Sequence, residues 1–148
     1  MAQYYAEDPD YLNATSRRAL RNPHEQREAY ALAERQAEAA CRLSPNDGSC
    51  HTTLGIAYYR LAKYESAVKV LTEADSLNAV AGQGSVPANL AFLAMAEHQQ
   101  GHRDQAQTFL QRLRARMAEG DWSKQAEAKA FATEAETLLS GNGGKGKK

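Results

Sequence analysis

The feature that most constrains the fold of this chain is a set of residue types that recurs along the sequence at matched spacings. Two segments 34 residues apart share three residue types, at Tyr30, Ala33 and Ala40 and again at Tyr64, Ala67 and Ala74. A third segment begins 39 residues further on, and places Gly101, Ala106 and Leu110 where the second has Ala62, Ala67 and Leu71. Self-similarity of this kind is typical of repeat proteins, in which stacked units bury a continuous core.

The apolar residues inside these segments follow a helical period. The first segment has a stripe with spacings of three and four, formed by Tyr30, Ala33, Ala37, Ala40 and Leu43. The composition agrees, because the chain has 28 alanines but only five valines and isoleucines together. Alanine favours helices and β-branched residues favour sheets. We therefore predict an all-α protein.

Turn signals divide the chain into helix pairs. Asn22-Pro23 predicts a helix N-terminus, and the glycine-containing segment from Ala79 to Pro87 predicts a loop that accommodates the five extra residues of the third segment. We predict one helical repeat domain over residues 1–139, with pairs at about 9–45, 48–79 and 87–118 and a capping helix at 123–139. Residues 140–148 are a Gly/Lys tail that we expect to be disordered.

The second segment matches a known repeat pattern. The residues that match W-x2-L-G-x2-Y, then A-x3-F and a later alanine, are His51, Leu54, Gly55, Tyr58, Ala67, Leu71 and Ala74. Over about residues 14–118 the chain therefore resembles the tetratricopeptide-repeat superfamily. Histidine replaces tryptophan, leucine replaces phenylalanine, and Ala79 replaces the terminal proline. The first helix, at about Pro9 to Arg21, lacks the pattern, and Glu97 stands where an aromatic residue is expected.

This resemblance implies a right-handed solenoid of about three antiparallel helix pairs with a C-terminal capping helix. Gly55 is expected where two helices cross closely. The stretch AFLAMAEHQQGH is similar to repeat segments that close large multidomain bacterial proteins, including some serine/threonine kinases. The chain is therefore either a complete small protein or a piece of a longer one.

Residues with catalytic or metal-binding chemistry do not converge in the sequence. His98 and His102 are four apart, a spacing that can hold a metal on a continuous helix, but Gly101 lies between them at a helix end. Neither glycine-rich run has the strand and helix context of a phosphate loop. Cys41 and Cys50 form no CxxC motif, and we expect reduced thiols. The chain is therefore expected to be no enzyme and to bind no metal or cofactor.

Charge and hydropathy exclude two classes of partner. The 18 basic and 18 acidic residues give a net charge of zero, whereas nucleic-acid binding proteins normally have a strongly basic face. No stretch approaches the roughly 18 consecutive apolar residues of a membrane helix, and the N-terminus lacks a signal-peptide pattern. We therefore expect a cytoplasmic protein that binds neither nucleic acid nor membrane.

The resemblance also implies a concave groove lined by the inner helix of each pair, which binds a protein or peptide. Ten residues are predicted to line it: Thr52, Thr53, Ile56, Tyr59, Arg60, Ala91, Phe92, Met95, His98 and Gln99. Apolar side chains beside cationic ones suit a peptide with apolar anchors. The predicted function is a non-catalytic protein–protein interaction module with an unidentified partner.

Three alternatives stay open at this point. Phe92 and Met95 would not line a groove if they packed under the loop or the last helix, and Trp122 is expected to fasten that helix to the array. The chain could be an accessory repeat segment, a monomer or weak homodimer, that acts through self-association or within a larger protein. A dimer contact would leave an apolar surface on the first or last helices. A small enzyme or ligand-binding helical protein is the third alternative.

Overall fold

The computed structural model describes residues 8–141, and within this range the protein consists of helices and turns without a strand. The seven α-helices of the described residues are α1 Pro9–Leu20, α2 Arg27–Leu43, α3 Gly48–Arg60, α4 Tyr64–Val80, α5 Pro87–Gln99, α6 Arg103–Met117 and α7 Ala126–Leu139. A single 3-10 turn, Trp122–Lys124, precedes α7. The all-α prediction is confirmed. Most of the expected disordered tail, residues 142–148, lies outside the described residues.

The chain divides into two compact units between Gly84 and Ser85, inside the loop that the glycine-containing segment predicted. The first unit contains α1 to α4, in which each helix packs against the next and α1 also contacts α3. The second unit contains α5 to α7, in which α5 packs against both α6 and α7. In each unit one helix is therefore covered by several neighbours, α3 in the first and α5 in the second.

The turns after α3 and α5 have the same hydrogen bonds. The Lys63 N–H donates to the Tyr58 carbonyl at 2.8 Å, and the His102 N–H donates to the Glu97 carbonyl at 2.9 Å. Both bonds close a helix C-terminus by reaching back five residues, which is the Schellman arrangement. Because the two bonds lie 39 residues apart, the repeat offset in the sequence is also an offset between equivalent backbone structures.

This turn requires a left-handed backbone at one position. Gly101 has φ of +83°, and Ala62 occupies the equivalent position with φ of +62°. Glycine adopts this conformation readily, whereas an L-residue pays a steric penalty for its Cβ. The first unit therefore keeps the repeated turn geometry in spite of an unfavourable residue.

Gly55 allows α3 to lie directly against α4. A Cβ at this position would be 2.4 Å from both Cγ and Cδ2 of Leu71, and 3.1 Å from Cγ1 of Val70. Carbon atoms in contact are normally about 3.5–4.0 Å apart. The predicted close crossing at Gly55 is confirmed.

The helix predicted to start at Asn22-Pro23 begins four residues later, at Arg27. The Tyr30 hydroxyl donates to the Asn22 carbonyl and accepts a hydrogen bond from the Glu25 N–H at 3.0 Å. These two bonds hold the backbone in a turn, because they occupy polar groups that a helix would use differently. The helix start was wrong because Tyr30, which was assigned to the apolar stripe, also bonds to the turn.

The last helix also starts later than predicted, at Ala126 and not at residue 123, because the 3-10 turn precedes it. Its predicted apolar side is nearly right. Ala128, Phe131 and Ala135 are buried as expected, and the fourth buried residue is Leu139, with its neighbour Leu138 only partly buried.

Candidate functional site

The ten residues predicted to line a concave groove differ widely in exposure. Six of them are buried: Thr52, Thr53, Ile56, Ala91, Phe92 and Met95. Three are partly exposed and one is exposed, namely Tyr59, Arg60 and His98, and then Gln99. A buried side chain has no surface for a partner to contact. At the six buried positions the structure therefore shows a packing role where the sequence predicted a binding role.

In the first unit, α1 covers one side of α3. A guanidinium nitrogen of Arg17 donates to the Thr53 hydroxyl at 2.8 Å, and Nε of Arg60 donates to the Leu20 carbonyl at 2.9 Å. The Tyr59 ring packs against the Tyr64 ring, with centroids 5.4 Å apart. These groups spend their polar and aromatic contacts within the unit.

In the second unit, α7 covers α5. The rings of Phe92 and Phe131 meet edge to face, with centroids 4.8 Å apart and an interplanar angle of 81°. Both side chains are almost completely buried. The alternative that Phe92 packs under the last helix is confirmed.

The histidine pair that was considered for metal binding has a different arrangement. His102 Nδ1 lies 2.6 Å from a carboxylate oxygen of Glu97, and this contact fastens the turn between α5 and α6. Among residues 8–141 there is no group of three or more His, Cys, Asp or Glu side chains that could hold a metal ion.

Both cysteines are free thiols. Burial raises the pKa of Cys50 to about 12, and the Asp47 carboxylate adds to that increase. Burial also raises the pKa of Cys41 to about 11, with further contributions from Asp47, Glu38 and Glu73. Because the thiolate is the reactive form, neither thiol is prepared for nucleophilic chemistry.

An open cleft of about 360 Å³ lies between α3 and α4 in the first unit. Its lining residues come from one face of each helix: His51, Leu54 and Tyr58 on α3, and Ser66, Lys69, Val70 and Glu73 on α4. Spacings of three and four place these residues on one face of their helix. We name this feature the α3–α4 cleft.

The α3–α4 cleft combines an apolar floor with a polar rim. Leu54 and Val70 are only 8% and 7% exposed and pack together with Ala37 of α2. Lys69 and Glu73 are exposed and place one charge of each sign one helical turn apart on α4. The volume lies at the small end of the range for ligand pockets, about 300–1,000 Å³.

One end of the cleft is fixed by contacts between Tyr58 and α2. The Tyr58 hydroxyl donates to Glu38 at 3.5 Å, and its pKa is raised, mainly by burial and then by Glu38 and Glu34. The Lys63 ammonium lies 5.7 Å from the centre of the Tyr58 ring and pairs with Glu34 at 2.6 Å. Tyr58 is therefore positioned before any ligand arrives.

Sequence reasoning missed this cleft because Leu54 and Tyr58 occupy packing positions of the repeat pattern. One signal was present in the sequence. His51 stands where the pattern has tryptophan, and a smaller ring at that position leaves space beside the helix.

Comparison of the chain with protein-family models, with curated proteins and with solved structures gave no match in any of the three. None of the helices in the described part of the chain combines the length and apolar character that crossing a membrane requires.

Proposed function

We propose that this chain is a non-catalytic helical-repeat protein that binds a segment of another protein, with an apolar side chain of that segment in the α3–α4 cleft. The observation that carries the proposal is the nearly buried floor of Leu54 and Val70 below exposed charges of both signs. Peptide-binding sites use apolar pockets for affinity and neighbouring polar groups for orientation.

The chemistry of the rim suggests the kind of segment that fits. An aliphatic or aromatic anchor would cover the floor, as anchors do at protein interfaces. A carboxylate next to the anchor can pair with Lys69, and a cation can pair with Glu73. The proposed ligand is therefore a short peptide segment with a central apolar residue and charged neighbours.

The proposed architecture is a tetratricopeptide-like solenoid. The repeated Schellman turns after α3 and α5 and the close crossing at Gly55 support it. Such an array presents extended surfaces on stacked helices, which is why repeat proteins commonly serve as protein-binding scaffolds.

The test blocks the cleft without touching the core. Ser66 is exposed at the cleft, and Gln105 is the exposed residue 39 positions later, on α6. Peptides selected from a display library on the wild-type protein are titrated against Ser66→Trp and, as the matched control, Gln105→Trp. The expected result is a loss of affinity of about tenfold or more for the first variant and a change within about twofold for the second.

Two outcomes would contradict the proposal. Peptides that bind both variants as tightly as the wild type would show that the cleft is not the binding site. A library that yields no binder to the folded wild-type protein would remove the evidence for peptide binding itself. Circular dichroism of both variants checks that the helices are intact.

A further inference from the structure

Helix α2 carries an apolar stripe in addition to the one it buries. The buried stripe consists of Tyr30, Ala33, Ala37 and Ala40. The second stripe, which we name the outer stripe, has spacings of three and four and consists of Ala29, Leu32, Gln36, Ala39 and Leu43. Within it, Leu32 is 49% exposed and Leu43 is 48% exposed.

This exposure is unexpected at the first described helix pair of a repeat protein. The terminal unit of a stacked array normally has a polar outer face, because nothing in the chain covers it. Leu32 and Leu43 are two of the four large apolar residues that the described chain exposes. From this face we infer that the chain self-associates, with α2 packed antiparallel against α2 of a second copy.

The order of residues in the outer stripe makes it complementary to itself. In an antiparallel pairing centred on Gln36, Leu32 lies opposite Ala39 of the second copy, and Leu43 lies opposite Ala29 of the second copy. Each large side chain then meets a small one, as in the packing of knobs into holes. The two Gln36 amides meet at the twofold axis, where each has both a donor and an acceptor for the other.

The charges beside the outer stripe favour the same pairing. Glu28, Arg35 and Arg42 follow each other at intervals of seven along α2 and are all exposed. The antiparallel arrangement places Glu28 opposite Arg42 of the second copy, twice in the dimer, whereas a parallel one would place like charges together. Arg35 meets only its own copy near the axis, and its long side chain extends into solvent. Charge complementarity therefore points to a second copy in the antiparallel orientation.

A twofold contact of this kind buries the same surface on both copies. One 17-residue helix supplies most of it. Interfaces of this size lie at the small end of the range for specific complexes. The dimer is therefore weak and depends on concentration. It uses a surface other than the α3–α4 cleft and does not rest on the proposed peptide binding.

The experiment is sedimentation equilibrium of the full chain from about 10 µM to about 1 mM, a range that covers weak association. The variants are Glu28→Arg and Arg42→Glu, studied separately and as an equimolar mixture. In either variant alone, both cross-pairs become like-charged, and we expect the dissociation constant to rise about tenfold. In the mixture, all pairs between the two variants are opposite in charge, so the wild-type level of dimer returns as the mixed dimer.

Arg35→Glu is the matched control on the same helix, since position 35 faces its own copy with either charge and the dissociation constant stays near that of the wild type. Recovery in the mixture separates a lost contact from lost folding, because two unfolded variants would not restore each other. A wild-type protein that stays monomeric at the highest concentration would overturn the inference. So would a mixture that dimerises no better than its two components.

Discussion

Replacement of Gly55 by alanine tests the close crossing of α3 and α4, because two opposing effects act at this position. In an open helix the change stabilises by about 1 kcal/mol, since alanine is the better helix former. Here the added Cβ would lie 2.4 Å from two carbons of Leu71, more than 1 Å inside ordinary contact distance. Leu71 is completely buried and has no free space to move into. The steric effect should therefore win.

The expected magnitude follows from these two contributions. Overpacking of a core costs about 1–3 kcal/mol, and contacts this short belong at the upper end of that range. Subtraction of the gain in helix propensity leaves a net loss of about 2 kcal/mol for Gly55→Ala. With an m-value of about 2 kcal/mol per molar urea, the unfolding midpoint falls by about 1 M. Urea titration followed by far-ultraviolet circular dichroism measures this shift.

A second background separates the steric effect from other causes. Leu71→Ala alone should cost about 2–5 kcal/mol because it leaves a cavity. In that background the Cβ at position 55 enters open space, so Gly55→Ala should be neutral or stabilise by up to about 1 kcal/mol. The reasoning is refuted if Gly55→Ala stabilises the wild-type protein, or if its cost is the same in both backgrounds.

Three further predictions concern the turns, an ion pair and a thiol. Ala62→Gly should raise the free energy of unfolding by about 0.5–1 kcal/mol, because glycine removes the Cβ penalty at positive φ, and Gly101→Ala should lower it by a similar amount; thermal melting decides, and an unchanged or lower melting temperature for Ala62→Gly would contradict it. Arg114 donates two hydrogen bonds of 2.7 Å to Glu136 and lowers the pKa of that carboxyl, so the pair stabilises the fold above the ordinary carboxyl pKa and the effect disappears as pH falls through the lowered pKa. Glu136→Gln should therefore cost about 0.5 kcal/mol at neutral pH, a small value because both side chains are largely exposed, and nothing near pH 2; equal costs at both pH values would argue against the ion pair. Cys50, with its pKa raised to about 12, should react with a disulfide reagent at pH 8 at least about a hundredfold more slowly in the native protein than in urea, in a variant whose other cysteine is alanine; equal rates would show that the thiol is accessible.

The sequence determined the features that depend on near neighbours along the chain. The helical period of the apolar residues predicted an all-α protein, and the glycine-containing segment predicted the loop in which the two units separate. Gly55 was correctly assigned to a close crossing, and three of the four buried residues of α7 were predicted. These features follow from backbone preferences and helix geometry, which act over a few residues.

Only the tertiary structure decided what covers each helix face. Phe92 lies on a face that the repeat pattern would open to a partner, but α7 places Phe131 against its ring. Leu54 lies at a packing position, and yet it forms the floor of an open cleft. Leu32 belongs to an apolar stripe that no helix of the chain fully covers. A sequence period identifies a face as apolar, but burial depends on neighbours that are distant in the sequence, so the period alone cannot distinguish a core from a binding surface.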